Sequence, residues 1–133
     1  MTASNNTTPT TAPKTAGARP RRIILELGAG TALHGGDYTK AAIRAVQDAL
    51  QHSSLTFLRA LKIDPASMQV EVTIGVQEPA KVDRRQVAAT LPHGQVTVDV
   101  VKGGLDVPDS ENNDLTVIAS AAIAVRVALP GSS

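Results

Sequence analysis

Alternation of apolar and polar residues sets the frame of this chain. Met68, Val70, Val72, Ile74 and Val76 fall on one side, with Gln69, Glu71, Thr73 and Gly75 on the other. A period of two marks a strand with one buried face, so residues 68–76 are read as a half-buried strand. Val96, Val98 and Val100 repeat the pattern over residues 95–101, and Ile23 to Leu27 forms a short apolar strand interrupted by Glu26. From Leu115 to Leu129 the alternation runs through Val117, Ala119, Ala121, Ile123, Val125 and Val127. At a rise of about 3.3 Å per residue that strand would reach about 50 Å. So long an element must bend or pair beyond its own subunit.

Between Tyr38 and His52 the period changes to that of a helix. Ala42, Ile43, Val46, Ala49 and Leu50 share one face, while Lys40, Arg44, Gln47, Asp48 and Gln51 fill the opposite side. Asp37 is a natural N-cap. The small residues Ala41, Ala42, Ala45 and Ala49 would let this helix lie close on a sheet. Ser54 can cap a shorter helix through Leu55, Leu58 and Leu61, with Pro65 as a stop, and Pro79 opens another over Val82 to Leu91. Pro92-His93-Gly94 reads as a turn and Gly103 to Asn113 as a polar, acidic loop.

The resulting order is β-α-(α)-β-α-β-β, which predicts an α+β fold. One domain over residues 22–130 would hold a four-stranded antiparallel or mixed sheet with helices on one face. The uncovered face would carry Glu71, Thr73, Thr97, Asp99, Ser120 and Ala122. Such a surface suits water or a sister sheet, so a homo-oligomer is expected, a trimer by preference. Residues 1–21 are read as a disordered extension, because Thr, Asn, Ala and Pro leave little to bury.

Composition narrows this picture. The chain has 133 residues, enough for one core, and that core must be aliphatic because only 2% of residues are aromatic and none is Trp. There is no cysteine, which excludes disulfides, thiolate zinc sites and a cysteine nucleophile, and fits a cytoplasmic protein. The net charge of +1 hides a basic start: Lys14, Arg19, Arg21 and Arg22 precede an acidic body. With no Lys/Arg stripe and no stacking aromatics on that body, nucleic acid is not an expected partner. No apolar run is long enough for a membrane span, so no membrane partner is expected either.

Chemistry points to the stretch from Gly28 to Lys40. Gly28, Gly30, Gly35 and Gly36 are expensive to order, which suggests close approach to a ligand or positive φ. His34 among them is the candidate acid/base group, since an imidazole exchanges protons near neutral pH. Asp37 is a second catalytic candidate besides its capping role. The helix start at Gly35-Gly36-Asp37 offers amides to an anion, with Thr39, Lys40 and Arg44 extending the site and Glu26 as a partner for His34 or Lys40. A dinucleotide fingerprint fails because position 33 is Leu and no acid ends a following strand. His34, His52 and His93 match no ligand spacing, so neither a metal nor a cofactor is expected. Ser53 and Ser54 lack a nucleophile elbow, and Arg84-Arg85 reads as a solvated face.

The same stretch resembles the signature of a small family of Lin-type conserved hypothetical proteins, Gly-x-Gly-x-Asp-x-His-Gly. Gly28, Gly30, His34 and Gly35 match, while Ala32 stands at the acidic position. The resemblance implies a domain from about residue 22 onward and no particular reaction. It leaves two expectations. One is a small oligomeric enzyme acting on a polar, anionic metabolite by hydrolysis, isomerisation or cyclisation, with His34 as acid/base group. The other is a non-catalytic binding or accessory subunit, pairing with a relative that keeps the Asp.

Overall fold

A computed structural model describes residues 20–51, 62–91 and 94–128 of the chain. The expected extension up to residue 19, the helix from Ser54 to Leu61, and His52 and His93 lie outside the described residues. No described helix is long and apolar enough to cross a membrane.

The last strand is the axis of the sheet. It runs over Asp114–Val127 and is β5; β1 is Arg21–Ala32, β2 Gln69–Val76, β3 Gln95–Lys102 and β4 Leu105–Asp109. β1 lies antiparallel along one edge of β5, from Arg21 opposite Val127 to Ala32 opposite Val117. The other edge is shared. β4 pairs Leu105 with Ile118 and Asp109 with Asp114, and β2 takes over from Gly75 opposite Ser120 to Gln69 opposite Arg126. β3 completes the sheet parallel to β2. The length of β5 therefore finds partners on both edges within the chain.

Two expectations change here. The sheet has five strands among the described residues, not four. The fifth, β4, comes from the segment read as a polar loop, where Leu105 and Val107 alternate with Asp106 and Pro108. Further, β1 does not stop at Leu27 but carries Gly28 and Gly30 inside it. The reason lies above the strand. A Cβ on Gly28 would come within 2.4 Å of the Ala49 amide nitrogen, and one on Gly30 within 2.2 Å of that of Ala45. Helix α1 (Tyr38–Gln51) thus rests on bare strand backbone. Ala41, Ala42, Ala45 and Ala49 are fully buried, as their spacing led us to expect.

The core between helices and sheet is aliphatic: Val46 and Val87 from the helices meet Val72, Ile74, Val76, Val117 and Val127 from the sheet. Burying each such side chain stabilises by about 1.5–3 kcal/mol. Helix α2 is short, Arg84–Ala88, rather than reaching from Val82 to Leu91. Its start is fixed by Asp83, whose carboxylate accepts the amides of Arg85 and Gln86 at 3.0 and 3.2 Å. The polar flank of α1 also serves the sheet. Asp48 accepts the Ala29 amide at 2.9 Å and Arg44 donates to the Thr31 carbonyl at 2.7 Å, so both occupy the outer edge of β1. On the opposite face of the sheet, Leu25, Leu27, Leu105 and Val107 are exposed.

Candidate functional site

Where β1 ends, Leu33 to Gly36 must reverse the chain into α1. Gly35 and Gly36 take φ of +80° and +61°, a left-handed pair that glycine adopts without strain. The loop is then stapled to the start of β5. Gly36 donates to the Leu115 carbonyl at 3.1 Å, and the Thr116 hydroxyl donates to the Leu33 carbonyl at 2.9 Å. Asp114 does most of the stapling. Its Oδ1 accepts the amides of Gly35 at 2.7 Å and Leu115 at 2.8 Å, and its Oδ2 lies 2.8 Å from His34 Nδ1. The Gly35 amide, the His34 ring and the Leu115 amide hold its carboxyl down at about 2. An ionised carboxylate can only accept, so the proton of this contact is on His34 Nδ1. The His34 side chain is 82% exposed.

A second cluster sits at the first residue of α1. The Tyr38 hydroxyl meets Glu78 Oε2 at 3.1 Å and makes a shorter contact to Asp106 Oδ2. Burial first, then the bonds to Asp106 and Glu78, push its ionisation far above the ordinary tyrosine range. One hydroxyl carries one proton, and the shorter contact gives it to Asp106. Glu78 is held ionised by its bond to Lys81, whose Nζ lies 3.2 Å from Oε1. Asp106 Oδ1 is buried and unpartnered. Thr39 ties this cluster to α1, accepting the Asp83 amide at 2.9 Å and donating to the Lys81 carbonyl at 3.4 Å.

Between the two clusters lies a cavity of about 430 Å³, lined by Gly35, Gly36, Tyr38, Glu78, Lys81, Pro108, Asn113, Asp114 and Leu115. That sequence and this framework settle the family: conserved hypothetical proteins designated Lin0512_fam match residues 22–125. The chain belongs to the Lin0512 family. A solved relative has the same fold: the crystal structure of an FtsZ-like protein of unknown function from Nostoc punctiforme PCC 73102. It is 35% identical, with a TM-score of 0.73 over 84% of this chain and 99% of that one. Among curated proteins, none matches.

In this Lin0512 chain the residues expected from sequence separate into two groups. His34, Gly35 and Gly36 meet at the cavity or beside it. The rest do not line it. Gly28 and Gly30 lie under α1. Asp37 caps that helix, accepting the Lys40 amide at 2.9 Å, and Arg44 reaches back to β1. Glu26 sits opposite Ile123, far along β1 from its loop end, and Lys40 is an exposed residue of α1 outside the lining. The amides of Gly35 and Gly36 are already taken by Asp114 and Leu115, so they are not donors waiting for an anion. Ala32 is only 1% exposed, beneath the helix layer; the acid beside His34 comes from β5 instead.

Asp114, Tyr38, Glu78, Lys81 and Asp106 are absent from the sequence-based site. Tyr38 offered one signal, as the single tyrosine of the chain. The carboxylates offered none, since their partners are remote in sequence. Among the described residues, no group of three or more His, Cys, Asp or Glu side chains is arranged to hold a metal ion.

Proposed function

We propose that this protein binds a small polar metabolite in the cavity at the start of α1 and moves a proton through the His34–Asp114 pair. The observation that carries this reading is the 2.8 Å contact of Asp114 with His34 Nδ1 beside the cavity that Asp114 also lines. A carboxylate on one ring nitrogen fixes the tautomer and orients the other nitrogen to take a proton, which is the arrangement of a general base. Hydrolysis, isomerisation and cyclisation all use such a base. The lining argues for a ligand rich in hydrogen-bond donors or positive charge rather than the anion expected from sequence. Glu78 and Asp114 face it, while the lysine present is paired with Glu78.

The non-catalytic alternative also has an observation in its favour. His34 is largely open to water, and the nearby loop amides are committed within the chain, so neither water exclusion nor oxyanion stabilisation is built in. Calorimetric titration with a panel of amines, amino alcohols and polyols, followed by turnover assays on whatever binds, separates the readings. A catalyst loses turnover in His34→Gln while retaining affinity; a binding subunit shows no turnover in either form. Failure of every member of the panel to bind would remove both.

A further inference from the structure

The face of the sheet turned away from the helices carries a group of exposed aliphatic side chains. Leu25 and Leu27 on β1 are 46% and 66% exposed, and Leu105 and Val107 on β4 are 59% and 47% exposed. The register puts all four on the same side as Ile118, because Leu105 pairs with Ile118 and Leu27 with Ala122. Between them the floor is small and flat, built from Ala29, Ser120, Ala122 and Ala124 of β1 and β5. One ion pair lies there, with Arg126 Nε 3.1 Å from both oxygens of Glu71, and Asp99 of β3 is exposed at the far edge of the same face.

We infer that this face packs against the same face of a second copy, giving a two-fold, sheet-on-sheet dimer. Size supports that occupant. Three strands abreast, β1, β5 and on its other edge β4 followed by β2, at about 4.8 Å apart and with lengths of about 40 Å give roughly 600 Å² of projection. Side-chain relief brings this close to the ~800 Å² per partner of a stable interface. A face with aliphatic side chains on β1 and β4 and small residues along β5 between them is complementary to itself under a two-fold axis. The N-terminal residues and the β1 edge are weaker occupants. Residues 1–19 offer only Met1, alanines and prolines as apolar groups, too little to cover four large aliphatic side chains. Edge-to-edge growth at β1 is obstructed where Asp48 and Arg44 occupy Ala29 and Thr31. The cavity lies on the helix side, so the dimer leaves it open, and this inference stands apart from the proposed function.

Sedimentation equilibrium of the full chain at micromolar concentration tests it. The expected mass is twice the 13.8 kDa of one chain. Leu27→Lys and, separately, Leu105→Lys should each weaken the dimer by at least about tenfold. Gln47→Lys, at an exposed position of α1 on the helix side, should leave it unchanged. Circular dichroism confirms that each variant is folded, and using two positions guards against one failing to fold. A wild-type monomer, a three-fold mass, or a dimer indifferent to both face substitutions would overturn the inference.

Discussion

Asp114 and His34 stand 80 positions apart in the sequence and 2.8 Å apart in space. Because the carboxylate is ionised, the contact requires a proton on Nδ1, which fixes the tautomer of the neutral ring. Nitrogen-15 NMR of the imidazole should therefore show the Nδ1–H tautomer in the neutral protein, and Asp114→Asn should mix the two tautomers. A predominant Nε2–H form in the wild type would rule out the pair as drawn.

The same carboxylate links folding to acid. Its folded pKa, about 2, lies below the ordinary value of 3.8. A depressed carboxyl contributes stability above its unfolded pKa and loses it as pH falls through the folded one. Wild type should exceed Asp114→Asn in thermal stability at neutral pH, with the gap closing between about pH 4 and pH 2. Melting curves at several pH values check this; a gap independent of pH would remove the electrostatic part of the staple.

Tyr38 should titrate abnormally. Its hydroxyl is buried against Asp106 and Glu78, so the neutral form is favoured and the folded pKa is raised. The stability it contributes is present below the ordinary tyrosine pKa and is lost as pH rises through the folded value. As the chain has a single tyrosine and no tryptophan, phenolate absorbance reads this residue alone. It should appear only together with unfolding. Removing the hydroxyl in Tyr38→Phe strands a buried carboxylate and should cost about 1–3 kcal/mol in urea denaturation. Ordinary titration in the folded state would contradict the burial of this cluster.

Two glycines should separate packing from conformation. Gly30→Ala sets a methyl 2.2 Å from the Ala45 backbone, so α1 must lift off the sheet, costing about 3 kcal/mol or more. At Gly35 an added Cβ meets nothing within 4 Å, and only the positive φ resists it, at about 1–2 kcal/mol. Urea midpoints of the two variants should rank accordingly. The reverse order would mean the glycine pair in β1 does not govern helix approach.

Much of the fold could be read from the chain because its signals are local. The helix expected from Tyr38 to His52 is found over Tyr38–Gln51, and the alternating runs became β2, β3 and β5 with shifts of a residue or two at their ends. β4 is hidden in the sequence because Pro108 and three acidic residues around it outweigh a two-residue alternation. The extent of β1 is hidden for a different reason: glycine in a strand looks like a loop unless the helix pressing on it is known. At the site, His34, Gly35 and Gly36 were visible as unusual residues in an unusual loop. Asp114, Glu78 and Asp106 were not, since what distinguishes them is a contact across 40 to 80 positions that only the folded sheet creates.

The central claim is that the cavity between the His34–Asp114 pair and the Tyr38 cluster receives a donor-rich or cationic small molecule. Amide NMR titration tests it most directly, using ethanolamine and inorganic phosphate in parallel at low salt. Ethanolamine should shift Gly35, Gly36, Asn113, Asp114 and Leu115, saturably and less strongly as salt is raised, while phosphate leaves these residues unmoved. Saturable phosphate shifts at Gly35 and Gly36 with no response to ethanolamine would contradict the account.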